Sequence, residues 1–229
     1  DCLDLPEVTH VFRDAPLTAQ QEKYYKLLKK EMLMVADGEE ISTVNAAINL
    51  NKLLQISGGA VYSDTGAVVE FDVSNRLRVI EEVINEASHK VLVFVPFTHT
   101  LELLNVYLKD AGISCEIING SVTVNKRTDI FKRFQESQEP RVLLIQPQAA
   151  SHGVTLTAAD TIIWYAPVTS IETYLQANAR IDRQGQKNKM TIVHIKGSPV
   201  ETRLYNMLQN KLDVHEKIID LYNQELKNS

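Results

Sequence analysis

The segment Val91-Leu-Val-Phe-Val95 is continuously apolar and rich in β-branched residues, the mark of a strand covered on both faces. It is one beat of a pattern that runs from Arg76 to Gly197 and leaves few folds open. Before it, Leu77, Ile80, Ile84 and Ala87 are spaced for one face of a helix. After it, a helix opens near Thr98, with Leu101, Leu104 and Leu108 on one side. The order continues with a strand at Cys115–Ile118, a helix at Asn125–Phe134 and a strand at Val142–Ile145. A strand at Thr161–Tyr165, a helix opening at Thr169-Ser170-Ile171-Glu172 and a strand at Thr191–Ile195 complete it. Thr169 and Glu172 have the spacing of a capping box. Strand and helix in alternation predict an α/β fold, a parallel sheet with helices on both faces. Ligands of such sheets gather at the carboxyl ends of the strands.

Two flanking zones read differently. Residues 1–75 form a helical lead-in that begins with the extended stretch VTHVFRDAPL. Thr18 is a candidate N-cap, and Tyr24, Leu27 and Leu28 follow at helical spacing. A second helix covers Val44–Ile56 with Ile48, Leu50, Leu53 and Leu54 as its apolar face. Gly58-Gly59 ends it, and Asp64-Thr65-Gly66 is a turn. Residues 198–229 are helical and charged, with Leu204, Leu208 and Leu212 as a stripe. Between them, residues 76–197 form the sheet-bearing lobe.

A chain of 229 residues can bury a substantial core. No apolar run reaches the roughly 20 residues of a membrane span, and no signal peptide opens the chain, so a cytoplasmic protein without membrane partners is expected. The absence of an initial Met suggests a piece of a longer protein. Cys2 and Cys115 have no metal-ligand spacing and are expected as thiols in a reducing compartment, Cys115 within an apolar run. Net charge is −5, from 24 Lys+Arg against 29 Asp+Glu. A nucleic-acid grip by charge alone would be basic, so any such contact rests on local patches.

Three stretches can carry chemistry. In Gln176-Ala-Asn-Ala-Arg180-Ile-Asp-Arg183-Gln-Gly185-Gln186, two arginines three apart lie on one helix face or at its end, with Gln176 a turn earlier. A planar, permanently charged guanidinium suits phosphate, and at a developing γ-phosphate charge it lowers the barrier electrostatically. The plainer alternative is a solvated helix end with salt bridges, for instance to Asp182. Gly185 suits a left-handed helix terminus. In Val142–Asp160, a buried strand leads into a loop of small residues. There Gly153 permits close backbone approach, and Ser151, Thr155 and Thr157 offer hydroxyls to phosphate oxygens; a simple strand connection is the alternative. His152 has no carboxylate or nucleophile nearby in sequence and reads as a loop residue. In Asn119-Gly120-Ser121, followed by Asn125-Lys126-Arg127 and Lys132-Arg133, basic residues flank a turn and a helix. They read as a solvated face or as phosphate contacts.

No G-x-x-x-x-G-K-[ST] loop is present, and no D-E-x-x box follows a strand. Asp37-Gly-Glu-Glu falls between helices. The grip on a metal and a triphosphate therefore has to come from elsewhere.

In order and spacing these pieces resemble the helicase C-terminal domain of Swi/Snf-related superfamily 2 translocases. The family's K-V-L-I-F-S-Q-x-T-x-T-L is matched from Lys90 to Leu101, and its G-S-x-x-x-x-x-R-x-x-x-I-x-x-F by Gly120, Ser121, Arg127 and Phe131 or Phe134. Its S-T-R-A-G-G-x-G-x-N-L-T-x-A-D-x-V-I aligns without a gap from Gln146 to Ile163. Its Q-A-x-x-R-x-x-R-x-G-Q is met at Gln176, Ala177, Arg180, Arg183, Gly185 and Gln186. Leu17-Thr-x-x-Gln-x-x-x-Tyr, Leu53-Leu-Gln-Ile and Ser198-Pro-Val-Glu201 resemble the lead-in and closing segments, so the likeness spans nearly the whole chain.

The resemblance implies a RecA-like lobe that closes on an N-terminal ATP-binding lobe over ATP and Mg2+. It implies that Arg180 and Arg183 are arginine fingers and that Gln176 couples nucleotide to strand movement. Gly153 would lie near the nucleotide, and Thr98, Thr155 and Thr157 near the backbone of DNA held without sequence preference. The fragment alone would be inactive as an ATPase. Val95-Pro96, Ala150-Ser151, Thr155 and Val168-Thr169-Ser170 depart from the family pattern and point toward bacterial or phage relatives. A non-catalytic binding module and a doubly wound metabolic enzyme are the rival readings.

Overall fold

In a computed structural model of the chain, residues 5–36, 41–63, 65–150 and 153–227 are described. Cys2, the Asp37–Glu40 run, Asp64, Ser151 and His152 lie outside them.

The sheet-bearing lobe follows the expected alternation. Helix α3 (Ser74–Glu86) precedes β4 (Lys90–Phe94), and α4 (Thr98–Asp110) leads to β5 (Cys115–Ile118). Helix α5 (Val124–Glu136), β6 (Val142–Ile145), a 3-10 turn (Pro147–Ala150), β7 (Ala159–Trp164), α6 (Ile171–Asn178) and β8 (Met190–Lys196) follow. One strand was not expected there: β1 (Val8–Asp14), from the lead-in, pairs with β8 along its whole length, Val8 opposite Met190 to Asp14 opposite Lys196. The sheet order is β1-β8-β7-β4-β6-β5, and every neighbouring pair is parallel.

The period-two geometry of a strand sorts the apolar runs between two faces. Val91, Val93, Val142, Leu144 and Ile163 enter one core with Leu77, Ile80 and Ile84 of α3 and Leu101, Leu104 and Leu108 of α4. Leu92, Phe94, Leu143, Ile145, Ile162 and Trp164 enter the other with Ile130 and Phe134 of α5 and Tyr174 and Ala177 of α6. Both faces are covered, which is why these strands are apolar throughout. Lys90 finishes α5: its Nζ donates to the Phe134 and Ser137 carbonyls, each at 2.6 Å, at the helix end where such groups lack partners.

The flanking helices build a third core. Helices α1 (Ala19–Ala36), α2 (Thr43–Gly58), α7 (Pro199–Gln209) and α8 (Ile218–Lys227) bring together Tyr25, Met32, Leu50, Leu53, Leu54, Leu204, Leu221 and Tyr222. Thr18 closes a capping box with Gln21, whose Oε1 accepts from Thr18 N at 3.0 Å. Gly59 ends α2 at φ 116°, and its N–H is taken by the Gln55 and Ile56 carbonyls. An antiparallel pair, β2 (Ala60–Tyr62) and β3 (Val68–Glu70), follows it.

Four expectations change. The lead-in is not purely helical, since it supplies β1 and the β2–β3 pair. Ile48 is 48% exposed, and α2 buries Ala46, Leu50, Leu53 and Leu54 instead. Leu212 lies beyond the end of α7 and is 44% exposed. Ser170 rather than Thr169 caps α6, accepting from Thr173 N, and Glu172 turns to Gln176.

Candidate functional site

The residues singled out in the sequence fall into two groups at different borders of the lobe. The first lies at the carboxyl ends of the neighbouring strands β4, β6 and β5. Thr98 is exposed at the first position of α4, and Gln146, just past β6, reaches its hydroxyl at 3.5 Å. Gly120 and Ser121 occupy the turn after β5. Asn119, whose role was not anticipated, shapes that turn: its Oδ1 accepts from Ser121 N at 3.1 Å and from Ser121 Oγ at 2.7 Å. The Asn-Gly-Ser order is the signal that could have revealed it. Arg127 closes the turn from α5, donating from Nη2 to the carbonyls of Asn119 and Val122 at 3.2 and 3.3 Å, while its Nε is buried without a partner. Arg133 bonds Asp129 and Glu116, each at 2.9 Å, as an ordinary helix-face cation would.

The second group does not sit at the carboxyl ends. After the 3-10 turn the chain runs to the amino end of β7, and after α6 it runs to the amino end of β8. These two connections meet. Leu156 N donates to the Arg180 carbonyl at 2.9 Å. Arg183 donates from Nη1 to the Gly153 carbonyl at 2.8 Å and toward Thr155 Oγ1 at 3.4 Å, and from Nε to the Ala179 carbonyl at 2.9 Å. Gly153 has φ +67°, and a Cβ there would meet nothing within 4 Å. Its glycine thus serves backbone conformation rather than space. Gln186 pins the turn from beneath, with Nε2 on the Ala159 and Ile181 carbonyls and Oε1 on Lys187 N and Asn188 N.

Arg180 has the most unusual surroundings. The arginines lie past α6, which ends at Asn178, and Arg180 is only 3% exposed. Its Nε and Nη1 are buried with no hydrogen-bond partner among the described residues. Burial, and then the charge of Arg183, lower its pKa from the ordinary arginine value. Among the described residues neither arginine has a salt bridge, so the pairing with Asp182 considered from sequence does not occur. A buried guanidinium without an anion is costly, and a negative group brought to it would gain strong charge-assisted hydrogen bonds.

The remaining members are only loosely attached. Gln176 is exposed and donates to Glu172 Oε1 at 2.9 Å on its own helix. Thr157 Oγ1 accepts from Gln135 Nε2 of α5 at 3.4 Å. Among the described residues no three His, Cys, Asp or Glu side chains gather to hold a metal ion, and no helix is long and apolar enough to cross a membrane. Cys115 is buried and unpaired, and burial raises its thiol pKa.

Residues 75–185 match the family model described as the helicase conserved C-terminal domain, a stretch that contains both groups apart from Gln186. The mouse chromodomain-helicase-DNA-binding protein 1-like is 28% identical over 228 residues, covering 95% of this chain and 25% of that protein. The Arabidopsis thaliana ATP-dependent DNA helicase DDM1 is 27% identical over 238 residues, covering 95% of this chain and 31% of that protein. The chain therefore spans about a quarter to a third of these relatives. In fold it is similar to the C-terminal part of the Fun30 ATPase domain, with TM-score 0.75, 18% identity and 98% and 99% of the two chains covered. It is also similar to the Sulfolobus solfataricus SWI2/SNF2 ATPase core solved with double-stranded DNA: TM-score 0.76, 19% identity, 98% of this chain and 50% of that one. These likenesses bear out the RecA-like α/β fold. The named sequence relatives are eukaryotic, so the bacterial or phage placement, and the bacterial cytoplasm expected with it, find no support.

Proposed function

We propose that this chain is the second motor lobe of an ATP-dependent DNA translocase of the Swi2/Snf2 type. The observation that carries the reading is the Arg180 guanidinium, whose buried Nε and Nη1 have no partner among the described residues, beside Arg183 on a turn stitched to the Gly153–Thr157 loop. That pair fits a polyanion such as a triphosphate, and Mg2+ would be held mainly by a first lobe, since among the described residues no cluster of carboxylates gathers to hold it. ATP would supply the phosphoryl-transfer chemistry. Arg180 and Arg183 would stabilise the charge that develops on the γ-phosphate, a task suited to preorganised cations in a water-poor site. Arg183 bonds Gly153 and approaches Thr155, so a shift of its guanidinium would move that loop directly. Gln176, one turn back on α6, would sense the same closure.

DNA would be held at the carboxyl-end border by Thr98 and the Gly120-Ser121 turn that Asn119 and Arg127 set, and from the amino-end border by the hydroxyls of Thr155 and Thr157 on the loop that Arg183 bonds. These are neutral or backbone-directed groups. Such contacts position a strand by its phosphates and carry no sequence information. Two separate borders suit a motor: nucleotide state at one changes the grip at the other, and alternating grips give steps.

On this reading the chain lacks half of its active site. The purified 229-residue chain, given ATP, Mg2+ and duplex DNA, is expected to hydrolyse ATP at background rate. Hydrolysis that rises severalfold on adding duplex would refute the proposal.

A further inference from the structure

One feature involves neither group of site residues. A groove of about 520 Å³ runs between α1 and the segment where β8 passes into α7. Leu17, Tyr25, Leu33 and Pro199 give it an apolar lining, and among the described residues Lys26, Lys29 and Lys30 stand along it against a single acid, Glu22. Positions 22, 26, 29, 30 and 33 share one face of the helix, so this charge pattern is a property of α1 itself. The chain as a whole carries −5, and this strip is locally positive.

The groove is preformed. Tyr25 is buried, its hydroxyl donating to Glu225 Oε2 at 3.0 Å and accepting from Val200 N at 3.2 Å. Lys29 Nζ lies 3.9 Å from the same carboxylate, and Arg203 also pairs with it. One buried acid on α8 thereby fixes α1 against α7. Lys26 and Lys30 are left in solvent, and among the described residues Lys26 has only a 4.0 Å contact to Glu22.

We propose that this groove docks an acidic amphipathic helical segment of a protein. Its large apolar side chain would enter between Tyr25, Leu33 and Pro199, and its carboxylates would meet Lys26 and Lys30. An apolar floor with a charged rim is the usual arrangement for a helix laid in a groove, and charge complementarity selects the acidic partner. A phosphate backbone would use the lysines and leave the apolar lining wet, so nucleic acid fits less well.

The test is fluorescence anisotropy with the 229-residue chain and a labelled peptide of Leu and Glu, its leucines at positions i, i+3, i+4 and i+7. The acidic peptide binds and loses affinity as salt is raised. The double variant Lys26→Glu/Lys30→Glu weakens binding at least about tenfold, which is about 1.4 kcal/mol. Leu33→Asp weakens it as well, which separates apolar seating from charge attraction alone. All three side chains are solvent-exposed, and thermal melts of the variants are expected to match wild type. No binding, equal binding of a Leu/Lys peptide, or indifference to all three substitutions overturns the proposal. So does displacement of the peptide by a duplex whose own binding needs Lys26 and Lys30.

Discussion

Arg76 and Glu201, one on α3 and the other on α7, form a two-pronged ion pair with both side chains buried: Nη1 to Oε2 at 2.7 Å and Nη2 to Oε1 at 2.8 Å. Arg76 Nη1 also donates to the Tyr165 carbonyl at 2.7 Å, and Tyr165 Oη donates to the Gly58 carbonyl at 2.6 Å. Glu201 Oε1 accepts in addition from Gly197 N and Ser198 Oγ. Burial opposes the charge on Arg76, and the charge and hydrogen bonds of Glu201 outweigh it, so the arginine pKa is raised. This network ties the sheet to the flanking helices at the carboxyl ends of β7 and β8. Removing one partner strands the other: Glu201→Leu or Arg76→Met is expected to cost about 3–5 kcal/mol in urea unfolding. The double variant costs much less than the sum, because neither charge is left alone.

His194 predicts a pH dependence. Its Nδ1–H donates to the Val11 carbonyl at 3.1 Å, which leaves Nε2 to accept from the Tyr174 hydroxyl at 2.8 Å. Burial, only partly offset by the bond to Val11, lowers its pKa to about 4 from 6.5. The unfolded chain therefore binds a proton that the folded chain refuses, and stability falls as pH drops from about 6.5 toward 4. Between about pH 6.5 and 5 the loss attributable to His194 is about 2 kcal/mol. Urea unfolding at both pH values, wild type against His194→Gln, checks it: the variant's slope is shallower by that amount.

Two glycines separate packing from function. A Cβ on Gly197 would lie 2.1 Å from the Ala15 carbonyl oxygen, where β1 and β8 close on each other, so Gly197→Ala is expected to cost about 3 kcal/mol. Around Gly120 a Cβ meets nothing within 4 Å, and Gly120→Ala leaves the thermal melt within about 0.5 kcal/mol of wild type. If the turn meets DNA, that same variant weakens duplex binding.

Arg127 is expected to act on DNA through the turn it holds. Arg127→Ala lowers affinity alike for duplexes of different sequence, and the slope of log affinity on log salt stays unchanged, because this guanidinium is directed at the Asn119 and Val122 carbonyls. A slope reduced by about one would instead make Arg127 a direct phosphate contact.

The sheet was legible because strands covered on both faces must be apolar throughout, as Val91–Val95 and Val142–Ile145 are. β1 was not recognised as a strand of this sheet: at an edge none of its residues is fully buried and exposure does not strictly alternate, and parallel pairing with a strand some 180 positions later leaves no local trace. The spacing of Arg180 and Arg183 was legible, but their setting was not. A helix ending at Asn178 carries no proline or glycine to announce it, and the backbone bond between Arg180 and Leu156 joins two connections that only the fold brings together. The Arg76–Glu201 pair was invisible for the same reason, since only the fold brings positions 125 residues apart together.

Arg180 would complete a nucleotide site shared with another lobe, and steady-state kinetics of the full-length protein carrying Arg180→Lys decide whether it does. Lysine keeps the charge but loses the planar, two-pronged donor geometry. The kcat for DNA-stimulated hydrolysis is expected to fall about a hundredfold or more while ATP affinity changes only a few fold and the melting temperature holds. An unchanged kcat with an intact fold would contradict it.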